Sequence, residues 1–159
     1  MLDIIDIDFN DPGHAEAVLA LMKEYASGPM GSGQPLPEAN LRRLVPALAA
    51  RPWIHGLMAR VDGAPAGQAI YLEGFSTFAA QPLVNLHDFM VSERFQGQGI
   101  ARKLLAALED RAREMGCCKV TLEVLEGNIP AQQLYRKMGY DSYQLIESNG
   151  RALFWQKKL

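Results

Sequence analysis

The stretch Gln96-Gly97-Gln98-Gly99-Ile100-Ala101 constrains this chain more than any other. An apolar run, Leu83 to Val91, leads into it, and Leu104, Leu105, Leu108, Ala112 and Met115 then recur on one helical face. The unit reads as strand, glycine turn, helix. Two glycines let the backbone take positive φ and leave no Cβ between backbone and ligand. The first-turn N–H groups of the following helix have no partner within it, and with the helix dipole they favour an anion. The loop is therefore expected to hold a pyrophosphate. A dinucleotide fingerprint needs a third Gly or Ala where Arg102 stands, and Arg102-Lys103-Leu104 does not supply the Gly-Lys-Ser/Thr of a Walker loop.

The spacing does match Gln/Arg-x-x-Gly-x-Gly/Ala, with Gln96, Gly99 and Ala101 in the first, fourth and sixth places. Asp88-Phe89-Met90-Val91 precedes it, and Glu123-Val124-Leu125-Glu126-Gly127-Asn128 follows. Asn128, Ala131, Leu134-Tyr135 and Met138-Gly139-Tyr140 complete a second block. Over about residues 83–145 the chain resembles the GNAT N-acetyltransferases. That resemblance implies an α/β fold, a mixed and mostly antiparallel sheet whose central parallel strands splay apart between flanking helices. It implies acetyl-CoA as cofactor, its pantetheine arm entering the wedge as a pseudo-strand. Carried over residue by residue, Met90 and Val91 would supply backbone bonds to that arm. Gln96, Gly97, Gln98, Gly99, Ile100, Ala101 and Arg102 would hold the pyrophosphate, and Asn128 would add a coenzyme contact. Asn128 reads equally as the cap of the next helix.

At 159 residues, 48% hydrophobic and 21% charged, the chain reads as one globular domain, 1–159. A net charge of −2 argues against nucleic acid or an anionic membrane as partner. No apolar run approaches membrane-spanning length and no basic leader opens the chain, so a cytoplasmic protein is expected. Cys117 and Cys118 make no disulfide framework and read as packing, while the three histidines show no metal-ligand spacing. A homodimer is left open.

Strands are expected over Leu2–Ile7, Ile54–Val61, Ala66–Phe75, Leu83–Val91, Lys119–Val124, Tyr140–Ile146 and Ala152–Lys157. The last two flank Asn149-Gly150, a hairpin signal, and Asp62-Gly63-Ala64-Pro65 reads as another turn. Helices are expected after Asn10-Asp11-Pro12, from Pro37, from Gly99 and over Pro130–Lys137, with Pro46 kinking or ending the second. Three glycines and three prolines between Ser27 and Pro37 read as a mobile loop.

Acyl transfer to an amine needs a neutral amine, a stabilised carbonyl oxygen and a thiolate that can leave. Deprotonating a lysine-like ammonium at neutral pH costs roughly 4–5 kcal/mol, so the base matters most. The resemblance places an acidic residue near the end of the strand before the glycine loop. His87 and Asp88 stand there, on opposite faces of an ordinary strand, with Glu73 as a third candidate. A lone strand His or Asp is more often a hydrogen-bonded structural residue. Tyr135 matches the family tyrosine that can protonate the coenzyme sulfur. The expected reaction is direct attack by the primary amine of a small-molecule or amino-acid-like acceptor. The alternatives are a protein N-terminal or lysine acetyltransferase, or a non-catalytic acyl-CoA-binding domain. Tyr25, Phe75 and Phe78 suggest a modest enclosed acceptor pocket.

Overall fold

The computed structural model describes residues 1–144 and 146–159. Contacts divide the chain into two compact units, Met1–Leu122 and Glu123–Leu159. The first holds a sheet in the order β1 (Leu2–Asp6), β2 (Ile54–Val61), β3 (Ala64–Ser76), β4 (Gln81–Val91), β5 (Val120–Leu122). The first four strands run antiparallel to their neighbours, and β5 is parallel to β4. Helices α1 (Pro12–Ser27) and α2 (Glu38–Ala49) follow β1, and α3 (Ile100–Glu114) links β4 to β5.

Local chemistry accounts for most of these boundaries. Asp11 caps α1, its carboxylate accepting the His14 N–H at 2.8 Å, with Pro12 in the first turn. Asp62 and Gly63, at φ 50° and 81°, make the tight β2–β3 turn whose twist suits a hairpin. Gly116, at φ 70°, ends α3, and the Cys117 N–H reaches back to the Ala112 carbonyl. Pro46 does not end α2, which runs on to Ala49. The proline removes one hydrogen bond in a short helix whose Leu41 and Val45 are buried, and packing outweighs that loss.

Alternation sorts the sheet's two faces. Met58 and Ile70 pack on one face against Ile7, Ala17, Val18 and Val45, which come from β1's end, α1 and α2. Leu57, Ala59, Ala69 and Tyr71 occupy the other, where α3 brings Leu104, Leu105 and Leu108. No helix among the described residues is long and apolar enough to cross a membrane.

In the second unit Asn128 caps α4 (Ile129–Lys137), its side chain accepting the Ala131 N–H at 3.3 Å. Among the described residues the expected C-terminal hairpin is not formed. Glu147–Asn149 makes one 3₁₀ turn, and the Ala152 N–H donates to the Tyr143 carbonyl at 3.0 Å between the two arms. Leu145, within the first expected arm, lies outside the described residues. A two-stranded hairpin without a third strand is marginal in water.

Candidate active site

β4 ends in an ordered lead-in to the glycine loop. The Ser92 N–H donates to the Ala66 carbonyl at 2.9 Å, and Glu93–Phe95 form one 3₁₀ turn with Phe95 buried. The Glu93 N–H donates to the Glu24 carboxylate of α1 at 2.7 Å, tying that helix to the loop. Gly97 and Gly99 then take φ of 75° and 74°, and a Cβ on either would meet nothing within 4 Å. Ile100 is buried and anchors the first turn of α3. Among the described residues, nothing accepts from the N–H groups of Gly97 through Arg102. Six donors, an open cradle and the positive end of a 15-residue helix fit a pyrophosphate, with Arg102 exposed beside them. The exposed Gln98 side chain bonds to no described residue, while Gln96 donates through Nε2 to the Val91 carbonyl at 3.2 Å and so fastens loop to strand.

β4 is paired with β5 only at Val84, Asn85 and Leu86, so from His87 onward that edge has no parallel neighbour among the described residues. The Ser92–Ala66 bond sets the antiparallel alternation. Met90 therefore turns its backbone groups toward Gln68 on β3, and Val91 turns its own away from β3. An outward N–H at the rim of an opened sheet suits an amide-bearing ligand lying alongside as a strand.

The base candidates stand on an irregularity that carries no sequence signal. Ile70 pairs with Asp88 but Tyr71 pairs with Leu86, so His87 is an extra residue, a β-bulge. Leu86 faces α3 with Tyr71, whereas Asp88 faces α1 and α2 with Ile70. Strict alternation would have kept Leu86 and Asp88 on one face. His87 is exposed and Asp88 is half-buried. Burial pushes the Asp88 carboxyl above the ordinary carboxylate range, with the His87 charge opposing. The Tyr25 hydroxyl of α1 is raised too, first by burial and then by the negative charge of Asp88, so these two groups lie near one another.

Glu73 is elsewhere. It pairs with Val84 on the α3 face, and its carboxylate meets His55 Nε2 at 2.6 Å, with His55 stacked on Tyr71 at 5.4 Å between ring centroids. Burial, Asp6 and Glu73 push the Tyr71 hydroxyl up to about 12. Phe75 and Phe78 are 62% and 87% exposed, so they do not close a pocket as expected. Cys117 is half-buried and Cys118 exposed rather than packed within a core; burial, then Glu73, raises the Cys117 thiol. The Ser27–Pro37 loop is held to the end of α1. Ser32 Oγ donates to the Ala26 carbonyl at 3.2 Å, and a Cβ on Gly31 would lie 2.2 Å from the Tyr25 carbonyl oxygen.

In the second unit Tyr135 is 7% exposed, its ring tilted against Tyr140 at 5.9 Å between centroids. Asn128 spends its oxygen on the helix cap, leaving only its amide nitrogen for a ligand. Sequence reasoning missed Glu24 and Gln68: helical spacing left Glu24 on a polar face, and Gln68 reads as an unremarked strand residue.

The chain is similar to known proteins in sequence and fold. The profile described as "Acetyltransferase (GNAT) family" matches residues 18–140. The thialysine N-epsilon-acetyltransferase of Caenorhabditis elegans is 29% identical over 144 residues, covering 90% of this chain and 86% of that protein. The spermine/spermidine N(1)-acetyltransferase of Bacillus subtilis is 36% identical over 69 residues, 43% of this chain and 45% of that one. Among solved structures, the aminoglycoside acetyltransferase AAC(6')-Iy, bound to a bisubstrate analogue of coenzyme A, superposes with a TM-score of 0.77 at 19% identity. That superposition covers 100% of this chain and 99% of the other and bears on the fold. A glycine cradle before α3, a β4 edge released by β5 and a profile spanning most of the sequence lead to one conclusion: the chain belongs to the GNAT acetyltransferase family and is an acetyl-CoA-dependent N-acetyltransferase.

Proposed function

We propose that this protein acetylates the primary amine of a small-molecule or amino-acid-like acceptor, by direct attack within a ternary complex. Acetyl-CoA supplies the activated acetyl group as a thioester. The N–H groups of Gly97 to Arg102, with the Gln98 and Arg102 side chains beside them, bind the pyrophosphate. Gln96 holds the loop to the strand end, where Met90 and Val91 border the open edge and Val91 offers its N–H to the pantetheine arm. Asn128 contributes its side-chain nitrogen. An Asp88 carboxylate oxygen takes the proton from the acceptor's ammonium, with His87 beside it at the bulge, and Tyr135 Oη gives a proton to the leaving sulfur.

The observation that carries this reading is the bulge. It turns a carboxylate to the face where α1 presents Tyr25, in surroundings that raise its affinity for a proton. A base whose pKa is moved toward neutrality suits an ammonium substrate. The C. elegans and B. subtilis relatives, which bear the names of a lysine analogue and of polyamines, support a small acceptor. The profile runs through both compact units, which supports one acetyltransferase domain over 1–159. We place the protein in the cytoplasm, where the free thiols Cys117 and Cys118 stay reduced. Exposed Leu153, Phe154 and Trp155 are compatible with a homodimer.

Coenzyme A release measured across an amine panel tests the acceptor: thialysine, spermidine and a peptide with a free N-terminal alanine. Turnover of at least one small amine should exceed that of the peptide at least ~10-fold in kcat/KM, the discrimination that pocket contacts worth 1–3 kcal/mol supply. Turnover of the peptide alone makes the protein a protein acetyltransferase, and turnover of none places its acceptor outside these three amines.

A further inference from the structure

One side chain in the sheet breaks the rule that buried polar groups are bonded. Gln68, in the middle of β3, is 0% exposed, and neither its Oε1 nor its Nε2 has a hydrogen-bond partner among the described residues. Leaving each group unpaired costs about 1–3 kcal/mol, which a methionine or leucine of similar volume would avoid. Met58 stands opposite it on β2 and Met90 opposite it on β4, so the surroundings suit an apolar side chain. A costly local choice without a structural gain marks a functional position.

The register says which function. Gln68 pairs with Met90, and Asp88 is two residues from Met90 on the same face, because the bulge at His87 has carried it there. Diagonal neighbours on one face of an antiparallel pair lie about 7–8 Å apart, within reach of a long side chain. The Asp88 carboxylate is itself half-buried and accepts no hydrogen bond from any described residue. An amide with a spare donor and a carboxylate with spare acceptors thus lie diagonally across two adjacent strands. The titratable groups whose charges bear on Asp88 are His87 on its own strand and Tyr25 on α1; Ile70 and Gln68, which face it from β3, carry none.

We propose that Gln68 is a positioning residue for acetyl transfer, its Nε2–H turning to one oxygen of Asp88 when the acceptor is bound so that the other oxygen faces the amine. This rests on Asp88 being the proton acceptor. The bond stabilises the charged carboxylate, so removing it raises the pH at which Asp88 ionises in the complex.

The test compares wild type, Gln68→Met, Gln68→Leu and Asp88→Asn, each in the full chain, using two acceptor amines of different basicity. Both Gln68 variants should melt at or above the wild-type temperature and keep wild-type coenzyme affinity by calorimetry. Their kcat/KM for the amine should fall about 10–100-fold, and the acidic limb of the kcat profile, which reports ionisation in the complex, should move to higher pH with both amines. Either variant with kcat/KM and limb unchanged, or with lowered kcat/KM and an unmoved limb, overturns the proposal and leaves Gln68 a packing residue. If Asp88→Asn keeps wild-type kcat/KM, the base assignment fails and this proposal with it. If Asp88→Asn is impaired and the Gln68 variants are not, only the present inference fails.

Discussion

Asp88 puts two demands on one side chain, and its titration exposes both. Burial raises its pKa in the folded protein above the ordinary value of 3.8, so the native state binds the proton more tightly than the unfolded chain. Stability from this group is therefore full below the ordinary value and falls as pH rises through the window up to the folded value. Asp88→Asn should raise the melting temperature at pH 7 and leave it nearly unchanged at pH 3. The same variant should lower kcat/KM by about 10²–10⁴-fold, the usual worth of a general base. Calorimetry at the two pH values and a pH–rate profile check both. His87→Gln should keep the acidic limb, since the half-buried carboxylate, whose charge reaches Tyr25, rather than the exposed imidazole takes the proton. A limb lost in His87→Gln assigns the base to His87 instead.

The elements around the glycine loop present backbone rather than side chains. α3 begins without a side-chain cap, because Gly99 stands at its N-cap in a left-handed conformation at φ 74°. That leaves its first N–H groups for a ligand. Gly99→Glu introduces both left-handed strain, about 1–2 kcal/mol, and a carboxylate in the anion cradle. It should lower the melting temperature by several degrees and weaken coenzyme A more than about 100-fold by calorimetry, where like-charge repulsion alone is worth several kcal/mol. Gly33→Ala is the control: its φ of 67° carries the same strain with the same free space, in the α1–α2 loop. It should lose stability and keep coenzyme affinity. Equal affinity in both variants would remove the pyrophosphate from this loop.

Within the first unit, long-range ties join elements far apart in sequence. Arg111 of α3 grips Asp6 at the end of β1 with two bonds, at 2.8 and 2.9 Å, across 105 residues. The guanidinium holds the Asp6 carboxyl below its ordinary value. A depressed folded pKa contributes stability above the ordinary value near 3.8, and that stability is lost as pH falls through the folded value. Asp6→Asn should thus melt slightly lower than wild type at pH 7, with the two converging below pH ~3. Arg111 is 37% and Asp6 60% exposed, so solvent screens the pair and the difference belongs to the upper part of the range for surface pairs, at most about 1 kcal/mol. Thermal melts at both pH values read it directly, and a gap that persists at low pH would assign it to something other than the ion pair.

How much of this could be read without a structure follows the range of the interactions involved. The glycine loop, the Asp11 cap, the Asp62-Gly63 turn and the run of elements from β1 through α4 rest on contacts between near neighbours in the chain. Such contacts leave their mark as residue type and spacing. The face on which Asp88 stands depends on pairing between β3 and β4, where one extra residue at His87 reverses every later side chain. No local pattern records that. The same holds for Glu73, taken up by His55 from a neighbouring strand, and for Phe75 and Phe78, left in solvent. It holds for Gln68, whose missing partners are a property of the space around it. The Asn149-Gly150 turn shows the converse: a strong local signal makes no hairpin among the described residues, where no third strand pairs with it. Sequence determined the anion cradle and the order of elements, because backbone conformation is chosen locally. Tertiary structure alone decided that Asp88 shares a sheet face with Ile70 and Gln68, because facing is a relation between strands.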